Sequence, residues 1–329
     1  MKTIFFFWIM LLPLSAYAVD DAPSKEFKPH IEFVYFEPSD PGQTGSLGIN
    51  YEVSYSIKLK DPLAASTAKP TTIPPRLNFC DINLFSKGNV PFKKDFLIQD
   101  FIETGFDAGW QTSTIDLLAA PCIDDYCSGH ERKASFTIKI AANYQYESDS
   151  DFKQKQNAYG IKGRITYKSG DSSIDRYFNP LEWLPSLIKF LAGEAVVDGK
   201  KIKHVEPFSE QYWPALGVAI EQVSPKDDQK RKLVDPQLDN YERIRLDLSY
   251  ASTLFKVDAD VIRVSFTWRY FKEISPTAEI KNAGLDNFSY WAVGLHTPKD
   301  VVISYSRGEL PFDTRPEEVF KIGWNYKFY

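Results

Sequence analysis

The stretch Ser128-Gly129-His130-Glu131 contains the residue types that hydrolases use for nucleophilic catalysis. A serine can attack a carbonyl carbon when a histidine takes up its proton and a carboxylate orients that histidine. Residues adjacent in sequence rarely reach this geometry, because the members of a triad usually meet through the fold. The other histidines, at positions 30, 204 and 296, lie in no recognisable nucleophile–base motif. We therefore expect that the chain is not an enzyme, with a hydrolase built on this stretch as the weaker alternative.

The three cysteines predict one disulfide. Cys122 and Cys127 are close in sequence, and Cys80 is distant from both. In an exported protein such a pair is expected to close a small loop, which leaves Cys80 single. Two aspartates and one histidine beside the pair could attract a metal ion, but a lone C-x4-C is a weak zinc pattern. The sequence also has no phosphate-binding glycine loop and no dinucleotide fingerprint, so we expect no metal and no cofactor.

The first 18 residues have the pattern of a secretory signal peptide. Lys2 precedes an apolar stretch from Ile4 to Leu14, and Ala16-Tyr17-Ala18 supplies small residues at a cleavage site. This apolar stretch is short for a membrane span. The chain has 39 Lys and Arg against 44 Asp and Glu without a basic cluster, which argues against a nucleic-acid partner.

The elements that position the side chains are predicted strands. In LGINYEVSYSIKL, residues 47–59, apolar or aromatic residues occupy every odd position and polar or small residues occupy the even positions. A period of two is the signature of a strand, because successive side chains point to opposite faces. The same alternation recurs in runs at 134–147, 158–168, 242–255, 261–272 and 318–328.

Alternation alone does not separate a soluble β-sandwich from a membrane barrel. Several runs are longer than the roughly 9–11 residues that a tilted strand needs to cross a bilayer. Their apolar faces end in aromatic pairs, such as Tyr144 with Tyr146 and Trp268 with Tyr270, as interfacial girdles do. We therefore predict that the odd residues of 47–59 face lipid. Because backbone groups find no water in hydrocarbon, every one of them must be paired within the protein, and the strands are expected to close into a barrel.

The C-terminal stretch FKIGWNYKFY alternates apolar with polar residues and ends on aromatic residues. In this respect the chain resembles the Gram-negative outer-membrane β-barrel proteins, whose last strand ends in an aromatic residue that the barrel-assembly machinery recognises. The resemblance covers residues 45–329 as a pattern and identifies no family within the class. Here the alternating set ends at Phe328, and Tyr329 falls on the other face. The resemblance implies location in the cell outer membrane, contact with outer-membrane lipid, and the barrel-assembly machinery as a partner during biogenesis.

The predicted fold class is all-β, an antiparallel transmembrane β-barrel of about 12 strands, within a range of roughly 10–14. Its predicted organisation is a signal peptide at 1–18, an N-terminal periplasmic segment at 19–44 and a barrel domain at 45–329. One short amphipathic helix is expected near 180–192, between the Asn179-Pro180 start and Gly193.

Eleven strands can be drawn from the sequence, and an even number is expected. The twelfth is placed between Glu194 and Val205, with Ile31 to Phe36 as the rival. Two of the eleven are drawn at 77–86 and 92–110, with a periplasmic turn at Ser86 to Val90. The stretch 60–76 is predicted as an outer loop, and the stretch from Lys256 to Asp260 as a short periplasmic turn.

The polar faces of these strands would line the barrel interior. Their charged residues are the candidate binding residues: Glu52, Lys58, Lys139, Lys162, Arg164, Arg243, Arg245, Asp247, Arg263 and Arg269. Because most of them are basic, they favour anions as solutes, although an internal salt-bridge network that fills a narrow lumen is an equally open interpretation. The predicted function is a channel or uptake protein for small, anionic solutes. The alternatives are a non-conducting surface-binding or structural barrel and an outer-membrane hydrolase.

Overall fold

A computed structural model describes twelve stretches of the chain, and every structural statement below refers to them. They are residues 24–39, 44–60, 76–93, 100–115, 135–168, 196–197, 200–201, 206–207, 214–257, 260–297, 301–313 and 316–326. The predicted signal peptide, Cys122 with Cys127, the stretch Ser128 to Glu131 and the predicted helix near 180–192 lie outside these residues.

Twelve long antiparallel strands form one sheet that closes on itself. They are β1 (Ser24–Pro38), β2 (Ser46–Lys60), β3 (Arg76–Pro91), β4 (Phe101–Ile115), β5 (Ser135–Ser148), β6 (Lys155–Lys168), β7 (Ala215–Asp227), β8 (Tyr241–Val257), β9 (Asp260–Glu273), β10 (Asn287–His296), β11 (Val301–Gly308) and β12 (Glu317–Tyr326). Each strand pairs with its neighbours in sequence, and β12 pairs with β1 from Ile31↔Tyr326 to Pro38↔Val319. The predicted closed antiparallel barrel is confirmed.

The barrel has an apolar outer surface. Leu47 and Leu59, at the two ends of the predicted lipid-facing set, are 64% and 45% exposed, and Ile322 of β12 is 60% exposed. Aromatic rings cover part of this surface, since Tyr305 packs between Trp291 and Phe320 at centroid distances of 5.4 and 4.9 Å. Such an outer face is suited to lipid, where apolar side chains lose nothing by exposure.

The strand count corrects two of the placements made from sequence. The twelfth strand is β1, which includes the rival at Ile31 to Phe36 and extends the barrel into the range 19–44. Between Glu194 and Val205, residues 196–197 instead pair with 200–201 in a separate small sheet. The alternation in β1 is hidden because Val34 and Phe36 are apolar on the inner face, where they pack with Val319.

Strands β3 and β4 also differ from the prediction. Ser86 to Val90 lies within β3 and forms no turn, and β4 starts only at Phe101. Polar residues made this stretch look like a turn. Lys87, however, points into the lumen, where its ammonium lies 3.3 Å from Glu103.

The strand order defines the two ends of the barrel. The terminal end holds Ser24 and Tyr326. At the opposite end, here called the closed end, the chain leaves β1, β3, β5, β7, β9 and β11. The connection after β2, predicted as an outer loop, lies at the terminal end, together with the short β8–β9 turn that was predicted to be periplasmic. The prediction that these two connections lie at opposite ends is therefore wrong.

Two short helices lie in the connections of the closed end. They are α1 (Gln229–Lys232), capped by the Asp228 side chain, and α2 (Ala278–Asn282), capped by Thr277. Among the described residues, the structure has no helix that is long and apolar enough to span a membrane.

Candidate functional site: a charged network across the lumen

Two arginines of β8 form the centre of the lumen. In the sequence YERIRLDLSY, Arg243 and Arg245 alternate with Ile244 and Leu246, so strand geometry points both guanidinium groups inward. Each is only 2% exposed. A buried guanidinium is tolerated only when its donors meet acceptors, so the partners of these two residues define the site.

Arg243 bridges two carboxylates from different strands. Its Nε donates to Glu221 Oε2 of β7 at 2.8 Å, and its Nη1 donates to Glu147 Oε2 of β5 at 3.0 Å. Its Nη2 contacts both carboxylates and completes a two-pronged pair with Glu147. This fork geometry is the strongest form of a charge-assisted hydrogen bond in proteins.

Arg245 reaches across the barrel. Its Nη1 donates to Glu103 Oε1 of β4 at 3.2 Å and to Gln145 Oε1 of β5 at 2.7 Å, and its Nε donates to Asp247 at 3.0 Å. Strands β4 and β8 are four places apart in the sheet order, so the Arg245–Glu103 contact spans the lumen interior. A direct side-chain contact between such distant strands occupies part of the lumen at this level.

Amide side chains satisfy the remaining carboxylate oxygens. Gln145 Nε2 donates to Glu147 at 2.7 Å and to Glu221 at 3.2 Å, and Asn143 Nδ2 donates to Glu221 at 2.9 Å. Gln156 Nε2 donates to Glu147 at 2.5 Å. The buried carboxylates are therefore held in place by both charged and neutral donors, which makes the network rigid.

The network extends from Glu103 and Asp247 to a third arginine, and a lysine forms a separate bridge beside it. Glu103 also lies 3.6 Å from Arg269 Nη1. Asp247 and Arg269 are direct cross-strand partners, and their charged atoms approach to 3.9 Å. Lys139 of β5 forms a separate bridge to Asp81 and Asp107.

Small residues on the facing wall make room for these long side chains. The inward positions of β5, β6 and β7 beside the network include Ala141, Gly160 and Ala219. A Cβ placed on Gly160 would lie 2.8 Å from the Cα of Glu221, so this position requires glycine. The sequence thus pairs large charged residues with small neighbours to fill the lumen without a clash.

An apolar layer covers the network at the closed end. Phe101, Phe271, Tyr290, Leu310 and Phe312 form one buried cluster. The last two belong to the connection between β11 and β12, which therefore folds into the mouth of the barrel. Phe312 has a positive φ of 80°, an unfavourable conformation that its packing against the other rings stabilises. The Arg243 guanidinium lies 5.0 Å from the Phe271 ring, so the two layers are in contact.

Ion pairs fix the connections of the closed end to the barrel rim. Arg231 of α1 forms a two-pronged pair with Glu273 of β9 at 2.9 and 3.1 Å, and its guanidinium stacks 3.9 Å from the Tyr241 ring. Lys230 donates to Glu309 at 2.9 Å. These ion pairs therefore hold the surface of the closed end in place.

Asp100 joins two further connections at the closed end. Its carboxylate accepts hydrogen bonds from the Ser150 amide at 2.9 Å and the Ser150 hydroxyl at 2.8 Å. Burial raises the pKa of Asp100 to about 6, against these hydrogen bonds, which lower it. This carboxyl therefore changes charge in a mildly acidic medium.

The ten predicted lumen residues all lie on inward-facing strand positions, but they divide into two groups. Lys139, Lys162, Arg243, Arg245, Asp247 and Arg269 interact within or beside the network. Lys58, Arg164 and Arg263 face the lumen toward the terminal end, outside the network, and Glu52 is the cross-strand partner of Lys87 and His30. Whether any of the ten binds a solute stays a prediction.

The sequence interpretation missed the acidic half of the network. Its buried members include Asp81, Glu103, Asp107, Glu147 and Glu221. The signal was present in β4, where Glu103 and Asp107 alternate with exposed Phe106 and Trp110, but the wrong strand boundary obscured it. The predicted basic excess of the lumen is therefore offset by carboxylates.

Among the described residues, no cluster of three or more His, Cys, Asp or Glu is arranged to hold a metal ion. Cys80 is free and exposed on the outer face, beside Leu59 and Trp110 on the neighbouring strands.

The closed antiparallel ring, its apolar exterior and its polar interior define the architectural class, a β-barrel of the outer-membrane type. No family model matches the chain, and no curated protein matches it. Solved structures similar to it include the transport unit of the autotransporter AIDA-I from Escherichia coli, at 7% identity and a TM-score of 0.31, covering 96% of this chain and 94% of that one. The translocator domain of the autotransporter NalP from Neisseria meningitidis matches at 6% identity and a TM-score of 0.25, covering 94% and 90%. Salmonella typhi OmpF matches at 8% identity and a TM-score of 0.28, covering 94% of this chain and 99% of that one. These values are too low to carry an argument about function.

Proposed function

We propose that the protein is an outer-membrane barrel that does not conduct in this state and that acts as a surface-binding or structural barrel. The observation that carries the proposal is the Arg245–Glu103 contact, which joins β8 to β4 through the lumen. Above it lies the apolar layer with Phe312, so a solute would have to displace both layers to cross.

The charge balance supports this choice over an open channel for anions. A ring of basic residues selects anions only while its charges are free to attract them. Arg243 and Arg245 instead neutralise Glu147, Glu221 and Glu103. These two arginines are thus used in internal ion pairs.

The closed end supports a binding or structural role. The Arg231–Glu273 pair fixes one of its connections to β9, and the Lys230–Glu309 pair joins two connections to each other. A surface that is already held in place by ion pairs loses little conformational entropy when it binds a partner. With the C-terminus in the periplasm, as outer-membrane barrels have it, the closed end would face outward.

Conductance in planar bilayers tests the proposal. We expect no steady conductance from the wild-type protein once heat-modifiable migration in SDS has shown that the barrel is folded. Glu103→Ala should open brief conducting events, because it removes the acceptor that crosses the lumen. Arg164→Ala, a lumen-facing change outside the network, is the matched control and should show no conductance. Steady wild-type conductance would overturn the proposal in favour of the channel.

A further inference from the structure

A serine and a histidine meet in the lumen on two neighbouring strands, outside the charged network. Ser265 of β9 and His296, the last residue of β10, both face inward, and Ser265 Oγ lies 2.9 Å from His296 Nε2. This is the distance and the atom pair that a nucleophile and its general base require. Sequence spacing does not reveal the pair, because the two residues are 31 positions apart.

Gly294 keeps the space between the two side chains open. A Cβ on Gly294 would lie 2.7 Å from Ser265 Oγ and 3.3 Å from His296 Nε2. Any larger residue would therefore push the hydroxyl or the imidazole away. The local sequence thus accommodates the contact.

A buried carboxylate lies near the imidazole. Glu32 of β1 is 4% exposed and points into the same lumen as His296, where its negative charge acts on the imidazole against the positive charge of Arg263. Its two oxygens are fixed by different partners, since His30 Nε2 lies 2.9 Å from Oε1 and Asn50 Nδ2 donates to Oε2 at 2.7 Å. A fixed negative charge stabilises the imidazolium that forms when a histidine takes a proton from a serine.

A cation lies beside the pair. Arg263 is the cross-strand partner of His296 and lies two residues before Ser265 on the same face of β9. It is exposed, and the structure shows no ion pair for it within the described chain. A guanidinium in this place can bind a carboxylate or phosphate on a substrate, or the oxygen that becomes negative during attack on a carbonyl.

We propose that Ser265 and His296 form a nucleophilic site that cleaves carboxylic esters of small anionic molecules entering the lumen from the terminal end. The Ser265 hydroxyl oxygen bonds to the ester carbonyl carbon while its proton moves to His296 Nε2. The tetrahedral adduct collapses, the ester C–O bond breaks, and the leaving alkoxide takes the proton from His296. Water then attacks the acyl-serine with His296 as base, which releases the acid and restores the serine. Glu32 acts through His296 and is a positioning residue.

This inference does not depend on the absence of conductance. The site lies on the β9–β10 wall toward the terminal end, whereas the closure rests on Arg245 and Glu103. A barrel that conducts could still cleave esters, and a barrel that does not conduct could lack the esterase activity.

Labelling by a fluorophosphonate probe tests the nucleophile in the full-length protein in detergent micelles. We expect the probe to attach to Ser265, as read by peptide mass spectrometry. Labelling should be lost in Ser265→Ala and should fall by about 10²–10⁴-fold in His296→Ala. Ser304→Ala removes another inward-facing serine, next to Gly294, and should label normally. Heat-modifiable migration must first show that each variant is folded. No labelling of the folded wild type, or unchanged labelling of Ser265→Ala, would overturn the proposal.

Ester hydrolysis separates the roles of the neighbours. With mono-p-nitrophenyl succinate as an anionic ester, Arg263→Ala should raise KM, while hydrolysis of neutral p-nitrophenyl acetate should change little. Glu32→Gln should lower kcat with little change in KM, and Glu32→Asp should restore part of it. Equal loss on both esters in Arg263→Ala would contradict selection of anionic substrates, and a Glu32→Gln variant with wild-type kcat would contradict its positioning role.

Discussion

Replacing Arg243 by methionine should destabilise the barrel strongly, because it removes the cation between two buried carboxylates. Arg243 makes contacts at 2.8 and 3.0 Å with Glu221 and Glu147, and both glutamates are at most 1% exposed. Removing one partner of a buried pair typically costs about 3–5 kcal/mol, since the other charge stays buried without compensation. The amide donors of Gln145 and Gln156 remain, so we expect a loss of about 3 kcal/mol, at the lower end of that range.

Urea unfolding of the protein in lipid vesicles, followed by tryptophan fluorescence, measures this loss. Adding Glu147→Gln to Arg243→Met should recover part of the stability, because the double variant no longer buries that unpaired carboxylate. Arg164→Met is the matched control. It removes an exposed lumen-facing guanidinium outside the network and should change the free energy of unfolding by less than about 1 kcal/mol. An Arg243→Met variant within about 1 kcal/mol of the wild type would refute the network as a source of stability.

Three further changes test other parts of the structure. Val53→Arg on the outer face should impair membrane assembly at a cost of roughly 2–4 kcal/mol near the midplane, whereas Ser54→Arg on the inner face should be tolerated; equal tolerance, read by heat-modifiable migration, would contradict the lipid-facing assignment. In vesicles without reductant, a lipid-soluble maleimide should modify Cys80 alone and a charged maleimide should modify no cysteine; labelling of all three would exclude the predicted Cys122–Cys127 disulfide. The folded Asp100 carboxyl, with its pKa of about 6, keeps its proton to higher pH than the unfolded one. Stability should therefore fall by about 2–3 kcal/mol between pH 4 and 6.5 in the wild type relative to Asp100→Asn, and parallel unfolding curves in the two proteins would refute this.

The outer surface of the barrel could be predicted from the sequence because lipid imposes a strict alternation. The alternation from Leu47 to Leu59 is predicted correctly for that reason. Asp247 faces Arg269 only because the pairing at the β8–β9 turn is followed by a register shift between Thr253 and Phe255. Strand β1 was harder to recognise because the lumen does not demand polarity at every position. The inner face of β1 carries the apolar residues Val34 and Phe36, which pack inside the barrel with Val319, so both faces of the strand are apolar there.

The site was only half predictable because its contacts join strands that are distant in the chain. The sequence shows that Arg245 points inward, but the partner Glu103 is identified only once the three intervening strands have been placed in order. The same holds for Ser265 and His296, which meet through the β9–β10 register. The serine–histidine motif that adjacency singles out, Ser128 to His130, lies outside the described residues.

Solute permeability of vesicles that carry the wild-type protein tests the closed lumen most directly. Vesicles with a known number of folded barrels would be placed in an isotonic solution of a small anion or a small neutral sugar, and swelling would be followed by light scattering. We propose that the Arg245–Glu103 contact and the Phe312 layer close the lumen, so the vesicles should swell no faster than protein-free vesicles. Swelling that increases in proportion to the number of barrels would contradict the closure.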